Sequence, residues 1–410
     1  MKRFRLIAAV GGVVVLTAAL SGSSAFGGSS GPAQRAPIKI GALTPLTGPF
    51  APWGLQVRAG MALAVNEINR SGGVKGRGQG RRLNLVVADD QSVNTSAAIE
   101  GFRRLTQQES VVSVGGIIGS PIALATTRLA EDGRVPLFLT KAGNDEILSL
   151  QSRYTFRTCL PAASMVAASV VQLAQRREIR SVGVMIADYA WGQSFKSALE
   201  ERARTVPNIR FNIQVAPLAT TNFTPYLRSL GDISLLVATG HPPGAGSILA
   251  QAGQLGIRAP VVGAYSPYSL TVRNAGAAAY GRWSDFKCMA TATQGYKSLA
   301  KRYLRTFPQN EFMEDDALSG YAYVKVVAEA IRNVGVNRTR IANYVRTHTF
   351  NIQGYAFPLR WTAWGELRGP TVQFAVLTRG PAPERGLSTA GWWPRVLFKS
   401  QPLTPYRPGS

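Results

Sequence analysis

Ser120 stands where a glycine-rich loop gives way to an apolar-periodic segment, a setting in which a hydroxyl can do chemistry. The run 111–144 reads VVSVGGIIGSPIALATTRLAEDGRVPLFLTKAGN. It predicts a strand at Val111–Val114, a break at Gly115-Gly116 and a helix from Ser120 through Leu129. A turn at Asp132-Gly133, a second strand at Val135–Leu139 and the loop Lys141-Ala142-Gly143-Asn144 follow. This is a βαβ unit with both loops at the carboxyl ends of parallel strands. Ser120 suits the N-cap and Pro121 the first helical position, where a missing N–H needs no partner. The next amides, aided by the helix dipole, can hold a small anion such as a carboxylate. Taken alone, the segment favours the plainer reading, in which Ser120 caps its own helix.

Other residues of catalytic type lack the company that catalysis needs. Asp89-Asp90 and Asp315-Asp316 could act as acid and base, but carboxylates adjacent along a chain need not face one bond. No Ser/His/Asp set accompanies them. Residues 27–31 fit G-x-S-x-G without a flanking strand or helix, so they make no nucleophile elbow. His241 and His348 have no second ligand-type residue at metal spacing, and no metal or cofactor is expected. Cys159 and Cys288 are too few for a disulfide scaffold, though an oxidising compartment would allow one bridge. An enzyme is the least favoured class.

The N-terminus points to export. A basic start precedes an apolar run from Leu6 to Leu20, and small residues surround Ala25, as in a secretory signal peptide over 1–25. The run is short for a membrane span, and no cysteine follows it to carry a lipid anchor. The remaining chain is expected to be soluble and extracytoplasmic. The net charge of +24 would suit nucleic acid, yet the basic residues are scattered. The one dense cluster, Lys75 to Arg82, lacks aromatics and reads as a solvated turn, so no nucleic-acid partner is expected.

Stepping along the chain gives the elements that must position these residues. A Gly/Ser/Pro linker over 26–37 leads to a strand at Ile38–Leu43 and a loop ending near Trp53-Gly54. A helix through Val57, Met61 and Ile68 stops at Gly72-Gly73; strand Leu83–Ala88 and a helix over 95–108 precede the Ser120 region. After a short segment at 154–159 comes a second β/α series: helix 162–176, strand Ser181–Ala187, helix 193–203, then strands at 210–215, 233–238 and 260–262. Helices are predicted at 297–306, 316–334 and 339–347, and the last 50 residues turn to β. The class is α/β, two doubly wound parallel halves.

Taken in order, these motifs resemble the type I periplasmic solute-binding proteins of the Leu/Ile/Val-binding family. The residues that carry the resemblance are IKIG at 38–41, LTGPFAPWG at 46–54, GMALAVNEIN at 60–69 with Gly72-Gly73-Val74, and Asp89-Asp90. The Ser120 region, Phe156-Arg157-Thr158, DYAWG at 188–192 and QAGQLG at 251–256 continue it. The match runs from residue 38 to about 378. The resemblance implies two α/β lobes joined by a three-segment hinge, with crossovers near 154–160, 285–291 and 353–360. Lobe 1 would hold 38–156 and 290–352, and lobe 2 would hold 160–286 and 356–410. It also implies an ABC-type permease as partner, a monomer, and hinge closure on a solute held between the lobes.

Position by position, the resemblance makes Ser120 a carboxylate ligand, reversing the reading from the segment alone. Lys141, Ala142 and Gly143 match a second loop facing the carboxylate and ammonium, where the family usually has a small residue at 141 and a hydroxyl at 143. Trp53 and Trp191 match aromatic positions that close over the solute from opposite lobes. Tyr265 departs from the pattern, falling where amino-acid binders carry an acid for the ammonium; a tyrosine brings no negative charge near neutral pH. Asp316 could replace that acid or simply cap its helix. The implied solute is a branched-chain amino acid or a relative. A non-amino aliphatic or aromatic carboxylate or amide is the alternative, as is a sensor of the same fold. In such a fold Cys159 and Cys288 lie on crossovers that run side by side, so a disulfide between them is expected.

Overall fold

In the first half each apolar run is followed by a helix whose apolar face covers it, so the chain winds a parallel sheet. The computed structural model describes residues 35–239, 244–263 and 266–409. The expected signal peptide, most of the linker, the G-x-S-x-G run, His241 and Tyr265 lie outside the described residues. Strands β1 (Ile38–Thr44), β2 (Leu83–Asp89), β3 (Val114–Ile117), β4 (Leu137–Leu139) and β5 (Thr155–Arg157) form one sheet in the order β2-β1-β3-β4-β5. All its pairings are parallel. Its connections are α1 (Ala51–Arg70), α2 (Thr95–Arg103) and α3 (Ser120–Asp132).

The second sheet repeats the theme and then departs from it. After α4 (Ala163–Arg176) come β6 (Ser181–Asp188), β7 (Arg210–Pro217), β8 (Leu235–Thr239), β9 (Val261–Gly263) and β10 (Trp283–Lys287), paired in parallel. They alternate with α5 (Ala190–Thr205), α6 (Thr224–Ser229), α7 (Gly244–Gln254) and α8 (Tyr268–Ala275). Helices α9 (Gln294–Thr306), α10 (Asp315–Val334) and α11 (Arg338–Thr347) return to the first sheet, where α10 lies along α1. The contact is so close that a Cβ on Gly60 would sit 1.8 Å from the Ala317 carbonyl oxygen. Finally β11 (Gln373–Arg379) and β12 (Trp392–Lys399) add antiparallel to β10, giving the order β12-β11-β10-β9-β8-β6-β7.

Several expectations need correction. Strand β3 begins at Val114 rather than ending there; Gly115 pairs with Ala42 and Phe138, and Gly116 marks a register shift within the strand rather than its end. Trp53-Gly54 belong to α1, not to a loop, because Pro52 starts a helix readily. Helix α8 and strand β10 went unread, the latter because WSDFK carries three polar residues in a fully buried strand. Residues 154–157 are a strand of the first sheet, so the first crossing lies just after them. Part of the segment 356–410, assigned to lobe 2, packs on β5 instead: Arg157 N donates to Gly365 O at 3.1 Å and Trp361 Nε1 to Arg157 O at 2.6 Å. The basic run 75–82 forms a short 3-10 turn between α1 and β2. No helix among the described residues is long and apolar enough to cross a membrane.

Two crossing segments are tied covalently. Cys159 follows β5, Cys288 follows β10, and a disulfide joins them with Cα atoms 5.4 Å apart and 129 residues between them in sequence. Closing so long a loop restricts the unfolded chain. Reduction, or the double substitution Cys159→Ala/Cys288→Ala, is therefore expected to lower stability by about 2–4 kcal/mol. Urea unfolding with and without reductant measures this, and an unmoved midpoint would count against it.

Candidate functional site

The site is built on the loop after β4, and a buried arginine shapes it. Thr140 and Lys141 amides both donate to Ile117 O, at 2.8 and 3.1 Å, wrapping the loop around the start of α3. Arg157, at the end of β5, is fully buried and donates from its guanidinium to Ala142 O and, at 2.7 Å, to Asn144 O. Its Nε pairs with Glu366 at 2.8 Å. The carbonyl between, Gly143 O, accepts from Ala163 N at 2.8 Å. All three carbonyls of this turn are thus occupied. The amides of Ala142 and Gly143 have no acceptor among the described residues. A turn with engaged carbonyls and open amides is an anion-binding concavity.

Ser120 completes that face in a different way from the expected cap. The N-cap of α3 is Gly119, and Ser120 is the first helical residue, with no side-chain capping bond. Its buried Oγ instead accepts from Asn144 N at 3.2 Å. The hydroxyl proton is left without an acceptor among the described residues, in the turn where the helix amides are also open.

The other lobe meets the loop through the first turn of α5. Asn144 Nδ2 donates to Ala190 O at 2.8 Å, and Asp145 N to Ser194 Oγ at 3.0 Å. Trp191 is buried and stacks on Phe195 with ring centroids 5.0 Å apart. Its indole Nε1 is buried without a partner and would lie 2.4 Å from a Cβ on Gly143. Glycine at 143 therefore makes room for the indole where the family resemblance suggests a hydroxyl. Trp53, on α1, packs edge-on to Phe50 at 5.3 Å, and Phe50 in turn faces Tyr189 of the second lobe at 6.3 Å.

Charge is concentrated at the head of α10. Lys141 Nζ lies 3.0 Å from an Asp316 oxygen and 3.5 Å from Asp315. Lys287, from β10, lies 3.2 Å from Asp315 and 3.6 Å from Asp285. Asp316 does not cap α10; Glu314 holds that position, and its carboxylate accepts from Ser269 N and Oγ. Burial pushes the Asp316 carboxyl above its usual range, with Lys141 pulling the other way. Burial also raises Glu314. Burial opposes charge on Lys287, but Asp315 and Asp285 outweigh it and hold the ammonium charged.

The remaining candidates are structural. Asp89 accepts from Leu46 N, Gln91 N and Thr47 Oγ and so organises the loop that leads to α1. Asp90 is buried, accepts from Ser92 N at 2.8 Å and faces no second carboxylate across a cleft. The one group of metal-type side chains among the described residues is Cys159, Cys288 and Asp315, and the disulfide consumes two of the three. Sequence reasoning missed Arg157, Glu366, Asn144 and Lys287 as site residues. An arginine inside the apolar strand TFR was the available signal, since a buried guanidinium must find several acceptors.

Comparison with known proteins agrees with this architecture. The family model described as periplasmic binding protein matches residues 37–374. A Leu/Ile/Val-binding protein homolog 7 from Brucella suis biovar 1 (strain 1330) is 28% identical over 319 residues, covering 73% of this chain and 78% of the relative. Among solved structures, the branched-chain amino acid transporter substrate-binding protein LivJ from Streptococcus pneumoniae, in complex with isoleucine, superposes with a TM-score of 0.72 at 22% identity. The likeness covers 89% of this chain and 100% of that one. An ABC transporter solute-binding protein from R. palustris, in complex with benzoate, gives 0.74 at 18% identity, over 90% and 98% of the two chains.

Two outcomes follow from the buried acids. Glu366→Gln leaves the Arg157 charge unpaired in the interior and is expected to cost about 3–5 kcal/mol in urea unfolding; a loss below about 1 kcal/mol would refute the clamp. Asp90 is pushed up from the usual 3.8 to about 7, chiefly by burial. Its contribution is therefore fully present below pH 3.8 and lost as pH rises through 7. Asp90→Asn should flatten the stability profile across that window and raise stability at pH 8 by about 1–3 kcal/mol. A parallel pH dependence in wild type and variant would reject this.

Proposed function

Since the chain belongs to the periplasmic binding protein family, we propose that it captures a small carboxylate-bearing solute between its two lobes and delivers it, outside the cytoplasm, to an ABC-type permease. One observation carries the carboxylate. Around a single turn, the amides of Ala142 and Gly143, the Ser120 hydroxyl and the Trp191 indole N–H are donors without acceptors among the described residues, while the turn's carbonyls are all engaged. Buried donors left unmade are costly, so an anion that accepts from them is strongly favoured. The donors come from both lobes. A carboxylate bound on Ser120's lobe thus presents an acceptor to Trp191, and closure about the hinge is driven by that second contact.

Two solute classes share this chemistry. Branched-chain amino acids are the class named for the Brucella relative and the LivJ neighbour; acids without an amino group are represented by the benzoate complex. Trp53 and Trp191 supply apolar walls that suit either.

A thermal-shift panel of amino acids, aliphatic acids, benzoates and amides identifies the binder, because a ligand of the folded state raises the melting temperature. With the best binder in hand, Ser120→Ala and Trp191→Phe are each expected to weaken it by about 1–3 kcal/mol in calorimetry, with the fold unchanged. Unaltered dissociation constants in both variants, or a panel in which only non-anions bind, would sink the carboxylate reading.

A further inference from the structure

Lys141 brings a buried ammonium to the loop that carries the open amides. The loop that begins with it holds the open amides of Ala142 and Gly143 immediately afterwards and reaches Ser120 Oγ through Asn144 N at 3.2 Å. The Lys141 side chain is 5% exposed. Its Nζ lies 5.8 Å from the centroid of the Trp53 ring, 3.0 Å from Asp316 and 3.5 Å from Asp315. Asp315 also has Lys287 at 3.2 Å, from β10 on the opposite lobe. Both carboxylates at the head of α10 therefore already face ammonium groups supplied by the chain itself.

In an α-amino acid the carboxylate carbon and the amino nitrogen sit about 2.5 Å apart across one carbon. A solute whose carboxylate takes the amides of Ala142 and Gly143 would thus carry its ammonium into the neighbourhood of Lys141. Two like charges in a buried setting repel strongly unless an acid neutralises the newcomer. Asp316, the acid within reach, is already engaged at 3.0 Å. We infer that Lys141 determines the solute class: its ammonium occupies the counter-charge position, and the chain selects aliphatic or aromatic carboxylates that lack an amino group. This rests on the carboxylate reading and goes one step beyond it.

The test is calorimetry on the folded chain with three probes: leucine, 4-methylpentanoate (the same carbon skeleton without the amino group) and benzoate. Wild type is expected to bind 4-methylpentanoate or benzoate at least about tenfold more tightly than leucine. Lys141→Ala exposes Asp316 to the solute and should shift the ratio by at least about tenfold towards leucine. Removing one member of a buried pair endangers folding, so the double variant Lys141→Met/Asp316→Asn is measured beside it. That variant should retain the amine-free acids and show no gain for leucine, since Asp315, the acid that remains 3.5 Å from the Lys141 position, is held by Lys287 at 3.2 Å. Tighter leucine binding by wild type, or an unchanged ratio in Lys141→Ala, overturns the inference and leaves the carboxylate reading standing. If none of the three acids binds any variant, and Ser120→Ala alters nothing in the wider panel, the carboxylate reading falls and this inference with it.

Discussion

The full burial of one guanidinium shapes the candidate site. Arg157 must place its donors on acceptors or destabilise the fold, and it finds Ala142 O, Asn144 O and the Glu366 carboxylate. Taking those carbonyls fixes the peptide planes of the turn, with Asn144 N given to Ser120 Oγ and the amides of Ala142 and Gly143 left open among the described residues. The loop's capacity to hold an anion is thus a consequence of a cation behind it, not of a glycine in front. Glu366 is brought there by a late excursion of the chain onto β5, so the site on one lobe is completed by residues more than two hundred positions later in sequence.

The crossing region is unusually charged for an interior. Lys141, Lys287, Asp285, Glu314, Asp315 and Asp316 are all buried, and they come from the first loop region, from β10 and from the head of α10. Such a network gives little net stability, because each charge surrenders its hydration to gain its partner. It restricts registry, because these pairs form together only when the loop after β4, β10 and the head of α10 meet. The Cys159–Cys288 disulfide lies beside it and holds the first two crossings together independently of pH and ionic strength. The covalent tie and the ion pairs thus hold the crossings side by side by two independent means.

The alternation of short apolar strands with amphipathic helices was legible from residue 38 onward because periodicity survives without tertiary context. Ser120, Trp53, Trp191 and the 141–143 loop could likewise be placed just past the carboxyl ends of strands, the edge where a parallel sheet turns into its loops and helices. Even the pairing of the two cysteines followed once the topology was in view. Where the reading slipped, tertiary burial was responsible. Strand β10 reads as polar because its Lys287 and Asp285 neutralise one another and Asp315, and the terminal hairpin joins the second sheet antiparallel where only a β-rich tail could be read.

The class, the two-half organisation and the family were therefore readable from local pattern, as was the sheet edge that carries the candidate site. Only the tertiary structure decided what each group does there. Ser120 became an acceptor for Asn144 rather than a cap, Asp316 became a partner of Lys141 rather than an open charge, and Arg157 became the organiser of the loop. The physical reason is that element formation follows local periodicity, whereas the partner of a buried polar group is chosen by whichever distant segment delivers a complementary charge or hydrogen bond within about 3 Å.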